Sequence, residues 1–270
     1  MSALPSTPLV AARRVPFELL SFAREVSSLF FNFAYPTLMY LIFVGSGVFS
    51  DGLERTDFGM NQFFLPGMVA TGVILATTQE LGMRVVEERE TSLLKRLRTT
   101  PTTALAYVLG KLGQVGILAL AQTTLLMTVA TLGFGATLPD SPRKWGIFIS
   151  TLLLGIACGA ALGFGLSVLL PTVRSANGVI VPTVLVLQFF SGVFFPFDSL
   201  PGWMQTVASV FPLRWLASGM RAALFPDYMA QMEPSGSFDV AVGLVVLSAW
   251  TVVSIVIAVR FFRWVPHEQS

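Results

Sequence analysis

The stretch IFISTLLLGIACGAALGFGLSVLL, residues 147–170, contains 24 consecutive residues and no charged side chain. A helix needs roughly 20 mostly apolar residues to cross the hydrocarbon core of a bilayer, so this stretch is long enough. Lipid cannot satisfy backbone N–H and C=O groups, and the stretch lacks the alternating pattern of a membrane β-strand. It therefore predicts a transmembrane helix, and the number of such stretches decides the fold class.

The composition of the chain supports this interpretation. Of its 270 residues, 54% are hydrophobic and 12% are charged, whereas about a quarter of the residues in soluble domains are charged. The net charge of +2 provides no field that would attract nucleic acid, so we expect membrane lipid around the chain and no nucleic-acid partner. The single cysteine, Cys158, excludes a disulfide within the chain.

Further apolar runs give the number of spans. Four match the first in length, and a fifth, shorter run covers about 26 Å as a helix, which is enough for a thin crossing. The six predicted spans are residues 30–49, 63–83, 112–134, 147–170, 179–195 and 240–259. We therefore predict an all-α integral membrane protein whose six-span domain covers residues 30–262, between an N-terminal segment (1–29) and a short tail (263–270).

The N-terminal segment is predicted to end in an interfacial helix, because apolar residues recur on one helical face of its second half. It lacks the charged-then-apolar order of a secretory signal, so we expect no cleavage. Arg13 and Arg14 are similar to a twin-arginine signal, but Glu18 and Glu25 follow them before any long apolar run.

Residues 196–229, after the fifth span, are apolar but do not form a seventh span in this interpretation. Pro212 interrupts them, and Arg214 and Arg221 lie among them. An arginine at mid-bilayer costs roughly 2.5–3.5 kcal/mol on the insertion scale. We therefore predict a re-entrant or interfacial helical hairpin at the outer membrane surface.

The distribution of basic residues gives the orientation. With six spans and a cytoplasmic N-terminus, 12 of the 17 Lys and Arg residues lie inside and five lie outside, which obeys the positive-inside rule. We expect a multi-pass protein of the inner (plasma) membrane with both termini in the cytoplasm.

The most highly charged stretch, EERETSLLKRLRTTP (87–101), lies between spans two and three. Its acidic residues precede its basic ones, as a helix macrodipole favours, and Pro101 ends the pattern. We predict an amphipathic cytoplasmic helix over residues 84–100. A helix that only lies on lipid should be mainly basic on its polar face, so the glutamates favour a protein partner, while a plain membrane-surface helix stays the alternative.

Two blocks resemble the ABC type-2 exporter permeases. EERETSLLKRLRTTPTTALAYVLGKL (87–112) is similar to the family's coupling-helix region, and QFFSGVFFPFDSLPGWMQTVASVFPLRWLASGMRAAL (188–224) to its segment after span five. With the N-terminal helix and six spans, the resemblance covers nearly the whole chain. It is nearest to the drug-resistance permeases of the daunorubicin-exporter kind. Ser92 and Leu93 depart from the Gly-Thr of many members, so we expect a different local contact with a partner.

The resemblance implies an ATP-driven exporter of an amphiphilic, drug-like or lipid-like substrate. The chain has no G-x-x-x-x-G-K-[ST] phosphate loop, so ATP and Mg would be bound by a separate ATPase subunit and no cofactor by this chain. Six spans are half of the usual twelve, which implies a second permease subunit in a homodimer or heterodimer. The residues expected to dock the ATPase are Glu87, Glu88, Arg89, Glu90, Leu93, Leu94, Lys95 and Arg96.

In the family, spans two and five line the substrate path. Carried over to this chain, the path residues are Thr71, Leu75, Thr78, Gln188, Phe189, Phe190 and Ser191. Glu80, the one acid within a predicted span, is interpreted as an interfacial residue, with a hydrogen bond to a neighbouring helix or attraction of a cation as alternatives.

Other functional classes fit the sequence less well. A membrane enzyme would need a catalytic constellation, but the single histidine, His267, lies in the tail and no H-E-x-x-H motif occurs. A secondary transporter or channel without an ATPase partner remains the alternative. It would need coupling-ion sites within the membrane, to which only Glu80 and Pro182 come near.

Overall fold

The structure, a computed structural model, describes residues 7–46, 59–91 and 103–261. Within these ranges the chain forms nine helices and no strand. In chain order they are α1 (Thr7–Ala23), α2 (Val26–Ser46), α3 (Met60–Glu90), α4 (Leu105–Gly133), α5 (Pro142–Leu169), α6 (Val173–Phe190), α7 (Gly202–Val210), α8 (Pro212–Leu224) and α9 (Val240–Phe261). Short 3₁₀ turns cover Phe197–Ser199 and Asp227–Met232.

Six of these helices are long and apolar enough to cross a membrane: α2, α3, α4, α5, α6 and α9. They confirm the number and order of the predicted spans, with ends that differ by a few residues. The helix α3 continues to Glu90, so residues 84–90 extend span two instead of starting a separate helix. The rest of the predicted helix 84–100, with Leu93, Leu94, Lys95 and Arg96, lies outside the described residues, as does the tail 263–270.

The helix α3 occupies the centre of the bundle. In its most apolar window 83% of the residues are buried within the chain, against 17% in α2 and in α9. It packs against α2, α4, α5 and α8, while α9 packs along α5, and α1 lies along α4. A central α3 therefore brings the residues near its two ends into contact with most of the other helices.

Two glycines allow α5 to approach α3 closely. A Cβ atom on Gly163 would lie 2.9 Å from the carbonyl oxygens of Thr77 and Thr78, and one on Gly159 would overlap the Thr77 hydroxyl. The hydroxyl of Thr78 donates a hydrogen bond of 3.0 Å to the Gly159 carbonyl. Small residues that bring backbones together are typical of helix contacts in membranes.

Single π-helical turns interrupt three spans, at Phe30–Ala34 in α2, Leu75–Gln79 in α3 and Val129–Gly133 in α4. The first two lie against each other. Such turns are rare in proteins and occur frequently at functional sites, because they change which side chains a helix presents.

The segment predicted as a hairpin, residues 196–229, contains the two short helices α7 and α8. Their 9 and 13 residues reach only about 14 and 20 Å, too short for a further span. Phe211 is extended and Pro212 begins α8, as expected because the residue before a proline avoids the helical region. Most of α8 is buried against α3, α5 and α9, whereas α7 is largely exposed.

The bundle has two ends, which are named here by the short helix at each. The α1 end holds α1, the end of α3, the starts of α4 and α6 and the end of α5. The α8 end holds α7, α8, the starts of α3, α5 and α9 and the ends of α4 and α6.

Candidate functional site

The last turn of α3 carries four consecutive charged residues, Glu87–Glu90, and the second of them, Glu88, is buried. Glu88 accepts a hydrogen bond of 2.7 Å from the Tyr107 hydroxyl and forms an ion pair of 2.5 Å with Lys111. Both partners lie in the first turns of α4. Glu88 therefore joins the ends of two spans that are adjacent in sequence.

The next two residues of α3 bind the connection between α5 and α6. The guanidinium of Arg89 donates to the carbonyl of Leu170, directly after α5. One oxygen of Glu90 accepts a bond of 2.7 Å from the backbone N–H of Val173, the first residue of α6. A carboxylate at that position also stabilises the positive end of the helix macrodipole. Glu88, Arg89 and Glu90 thus hold three different neighbours.

The amphipathic helix α1 joins the same network through Glu18. Its carboxylate binds Lys111 at 2.6 Å and Arg14 at 2.7 Å, so Lys111 lies between two glutamates and has no exposed surface. We call Arg14, Glu18, Glu88, Tyr107 and Lys111 the Lys111 network. Its two cations balance its two carboxylates, as buried charges require.

The network changes the acidity of Glu18. Burial alone would raise the pKa of this carboxyl group, but the charges and hydrogen bonds of Lys111 and Arg14 outweigh burial and lower the pKa below its ordinary value. The carboxylate is therefore stabilised in its ionised form, which keeps α1 bound to α4.

The described residues among those predicted to dock an ATPase differ in exposure. Glu87 is exposed, Arg89 is half-buried, and Glu90 is exposed although it binds Val173. Glu88 is buried within the Lys111 network. Glu87 and Glu90 are therefore the exposed residues of the four, and Glu90 is the one of these two that binds Val173 of α6.

The residues predicted to line a substrate path are mostly buried within the chain. Thr71, Leu75 and Thr78 of α3 are buried, and so are Gln188 and Ser191. The Tyr35 hydroxyl donates to Gln188 at 3.2 Å, which joins α2 to α6. Phe190 is half-buried, and Phe189 is 45% exposed. The structure therefore does not bring these residues together around one opening.

A groove of about 430 Å³ lies between α2, α3 and α6 at the α1 end. Leu75 is the one predicted path residue that lines it. The groove includes the two π-helical turns of α2 and α3. Its lining residues are Glu25, Ser27, Ser28, Phe31, Asn32, Leu75, Gln79, Glu80, Met83, Arg84, Glu87, Val173, Asn177 and Val181.

Glu80 lies in this groove and is buried by neighbouring side chains. It accepts a hydrogen bond of 3.3 Å from the Asn32 amide on α2 and pairs with Arg84 at 2.9 Å. Arg84 also pairs with Glu25 at 2.8 Å. The alternative of a hydrogen bond to a neighbouring helix is confirmed by Asn32, while the interfacial position of Glu80 stays a prediction.

The α8 end contains a second buried ionic centre. Arg214 and Arg221 of α8 bind the two oxygens of Glu233 at 2.6 and 2.7 Å. Arg221 also donates to the carbonyl of Gly192, and the Arg214 guanidinium lies 3.8 Å from the centre of the Phe197 ring. These contacts bind α8 to the turns before and after it and explain how two arginines fit in this apolar segment.

The ion pairs at this second centre are unbalanced, since two guanidinium groups share one directly paired carboxylate and Asp239 acts on Arg214 through its charge alone. Burial, with a smaller contribution from the nearby charge of Arg221, lowers the pKa of Arg214 to about 10, and Glu233 offsets part of the effect. Glu233 is therefore the group on which both buried cations depend.

The start of α3 is fixed by Gln62. Its amide nitrogen donates to the carbonyl of Leu224 at 2.7 Å, and its amide oxygen accepts from the backbone N–H of Thr137 at the same distance. Both ends of the central helix are thus hydrogen-bonded to elements distant in sequence.

Sequence reasoning missed the Lys111 network and the role of Glu233. The available signal was a lysine at the start of an apolar run, since a charge at that position needs a partner. Glu18 and Glu88 are acids close to apolar segments, but only the packing of α1 on α4 identifies them as that partner.

Comparison with known proteins identifies the family to which the chain is similar. The family described as ABC-2 type transporter matches residues 16–225. Among curated proteins, the chain is 29% identical over 160 residues to a probable doxorubicin resistance ABC transporter permease protein, DrrC, of Mycobacterium tuberculosis, which covers 57% of this chain. It is 24% identical over 230 residues to the daunorubicin resistance ABC transporter permease protein DrrB1 of Streptomyces coeruleorubidus.

The extent of these matches differs. The chain spans 55% of the length of the Mycobacterium protein. It spans 62% of the putative transport permease YvfS of Bacillus subtilis, to which it is 28% identical, and 75% of the Streptomyces protein. The match to the Streptomyces protein covers 84% of this chain and therefore extends over most of the bundle described above.

Proposed function

The chain belongs to the ABC-2 type transporter family, and from that premise we propose that it is the membrane-spanning permease subunit of an ATP-driven exporter. The observation that carries the proposal is the set of contacts made by Glu88, Arg89 and Glu90 at the end of α3. They bind α4, α6 and the residue after α5 directly, and α1 through Lys111. A partner that moves this end would act on most of the spans at once, as a transporter driven from outside the membrane requires.

The proposed partner is a separate ATPase subunit that binds ATP and Mg and docks at the α1 end. Exposed Glu87 supports this location, because it projects from the surface beside residues that bind three neighbouring elements. Leu93, Leu94, Lys95 and Arg96 follow directly in sequence and would belong to the same docking surface. The α1 end would then face the cytoplasm, and the membrane would be the inner (plasma) membrane.

A second permease subunit would complete the transporter. The spans α2 and α6 support this, since only 17% and 22% of the residues in their most apolar windows are buried within the chain. We propose that part of this surface faces a second copy or a related permease. Phe189 lies on the exposed surface of α6 and would face the path between the subunits.

The short helices have proposed positions at the two membrane surfaces. The helix α1 would be the interfacial connecting helix, since it presents exposed Phe17 and Leu20 on one side and binds the Lys111 network on the other. The pair α7 and α8 would form the outer hairpin. Trp203 of α7 is exposed, as is typical of aromatic residues at a membrane surface.

The proposed cargo is an amphiphilic molecule, drug-like or lipid-like, moved out of the cytoplasm or the inner leaflet. The relatives named for doxorubicin and daunorubicin resistance support this class. The apolar surface of α6 does so as well, because apolar area provides affinity for such a molecule while a few polar groups orient it.

The test is co-purification of the chain with a candidate ABC ATPase subunit, followed by ATP turnover and vesicle uptake assays. Because Glu88 and Glu90 bind within the chain, the variant that probes docking is Glu87→Lys, and Asp198→Lys on the other end is its matched control. We expect Glu87→Lys to reduce the yield of bound ATPase. Undiminished transport in vesicles without ATPase or ATP would instead support a secondary transporter.

A further inference from the structure

We propose that the groove between α2, α3 and α6 is a binding site for the head group of an amphiphilic organic cation that carries N–H donors, such as an alkylammonium. This inference rests on the proposed function, because it assigns a substrate class to a site on the permease. The groove opens at the α1 end and has room for a small head group, at about 430 Å³.

The first step of the argument is the charge of the groove. Its lining residues among the described part of the chain include three carboxylates, Glu25, Glu80 and Glu87, and one cation, Arg84. Arg84 pairs with Glu25 and with Glu80, and it cannot neutralise all three acids. Three negative charges and one positive charge leave a net charge of −2, which attracts a cation and repels an anionic head group.

The second step is a hydrogen-bond acceptor that lacks a partner. Asn32 is only 3% exposed, and its Nδ2 donates to the Ser28 carbonyl and to Glu80. Since both of these partners are acceptors, they fix the orientation of the amide. Its Oδ1 is buried and has no hydrogen-bond partner among the described residues. A buried acceptor without a donor is costly, and a ligand N–H would satisfy it.

The third step is the shape of the backbone around this acceptor. Asn32 and Phe31 lie in the π-helical turn of α2, and Leu75 and Gln79 lie in the facing turn of α3. Turns of this kind reorient side chains locally and are frequent at functional sites. Here two of them from adjacent spans line one groove.

The fourth step is the apolar surface beside the charged part. Phe31 is 49% exposed and Val181 of α6 is also exposed, while Leu75 and Met83 form the wall on α3. A ligand that places its ammonium among the carboxylates would thus lay an apolar tail on these side chains. Charge, acceptor and apolar wall together describe an amphiphilic cation.

Three fluorescent probes test the proposal. They carry the same dansyl group on a short alkyl chain and differ at its end: 5-(dansylamino)pentylammonium, its N-acetyl derivative, and 6-(dansylamino)hexanoate. Their binding to the full chain with its ATPase in lipid nanodiscs is measured by fluorescence polarisation, with empty nanodiscs as the blank. We expect the ammonium probe to bind about tenfold more tightly than the acetylated one, as for one hydrogen-bonded charge, and the carboxylate probe to bind most weakly.

A variant that removes charge from the groove shows whether the groove causes this order of probe affinities. Glu25→Gln removes one accessible carboxylate of the groove and leaves Glu87, the proposed docking residue, unchanged, and Asp198→Asn removes one exposed carboxylate at the α8 end. The groove variant should lose about tenfold in affinity for the ammonium probe while its binding of the acetylated probe stays unchanged, which also shows that it has folded. The control variant should behave as the unchanged chain does.

Cysteine protection tests independently whether the ammonium probe binds in the groove. Because Cys158 is buried, Val181→Cys introduces the accessible thiol in the groove. The ammonium probe should slow its reaction with a maleimide, and the carboxylate probe should not.

Equal binding of the ammonium and acetylated probes, or full affinity in the groove variant, would overturn the inference. ATP turnover by the same preparation is read separately. Turnover without ammonium preference refutes only this inference, whereas ammonium binding by a chain that retains no ATPase refutes only the proposed function.

Discussion

The Nζ atom of Lys111 lies 2.6 Å from Oε2 of Glu18, a residue 93 positions earlier in the chain, and the lysine side chain has no exposed surface. This ion pair attaches the helix before the first span to the start of the third predicted span. With Glu88 on its other side, Lys111 holds α1, α3 and α4 together at one point.

Replacement of Lys111 by methionine should destabilise the chain by about 3–5 kcal/mol, because it leaves two buried carboxylates without their cation. The measurement is the midpoint of thermal unfolding in lipid nanodiscs. Lys144→Met is the matched control, since Lys144 pairs with the exposed Asp140 and its loss should change the midpoint little. Addition of Glu18→Gln and Glu88→Gln to the methionine variant should restore part of the loss, and a midpoint unchanged by Lys111→Met alone would contradict the buried pair.

The pH dependence of stability should contain a contribution from Glu18. Its pKa is lowered in the folded chain, from an ordinary value of 4.5, so the folded state favours the ionised form. The resulting stabilisation is fully present above pH 4.5 and is lost as the pH falls through the lowered pKa. Unfolding midpoints between pH 7 and pH 3 should therefore drop less steeply in a Glu18→Gln variant, and identical slopes would refute the assignment.

Loss of the carboxylate of Glu233 should destabilise the buried centre on α8 more than loss of the guanidinium of Arg214. Glu233→Gln leaves two buried guanidinium groups and should cost about 3–5 kcal/mol. Arg214→Met should cost less, because it leaves Arg221 and Glu233 as a balanced pair. Unfolding midpoints measure both, and a larger loss for the arginine variant would contradict the unbalanced charge described here.

Close packing of α5 on α3 predicts a contrast between two glycines. Gly163→Ala places a Cβ atom 2.9 Å from two backbone oxygens and should destabilise the chain by about 1–3 kcal/mol, as overpacking does. Gly178→Ala on α6 meets no atom of the described residues within 4 Å and should stabilise the helix by about 0.5–1 kcal/mol. Thermal unfolding of both variants under the same conditions gives the comparison. Equal effects would show that the two helices are less close than described.

The six spans could be predicted from sequence because hydropathy over about 20 residues is a local property that lipid makes decisive. The break at Pro212 is local for the same reason, since a proline restricts the residue before it. The exact end of α3 could not be predicted. Whether Glu88 is exposed in a loop or buried in a helix depends on Lys111, and that contact forms only when α1 packs on α4.

The contacts of the candidate site could likewise be predicted only in part from the sequence. An acidic stretch before a basic one predicted a charged surface, and exposed Glu87 agrees with that pattern. The pattern could not show that Arg89 and Glu90 bind the connection between α5 and α6, about 80 residues later. Likewise, Glu80 is the one acid within a predicted span, but the sequence could not identify Asn32 as its partner, because the two meet only through the contact of α2 with α3.

The hydrogen bonds at the two ends of α3 have a mechanical consequence. Glu88, Arg89 and Glu90 are each attached to a different neighbour. A displacement of this end of α3 would therefore also displace the start of α4, the residue after α5 and the start of α6. The helix α3 has 31 residues, about 46 Å of helix, with one π-helical turn at Leu75–Gln79, and its far end is hydrogen-bonded to α8 through Gln62. A rotation imposed at the α1 end would therefore be transmitted along α3 to the α8 end.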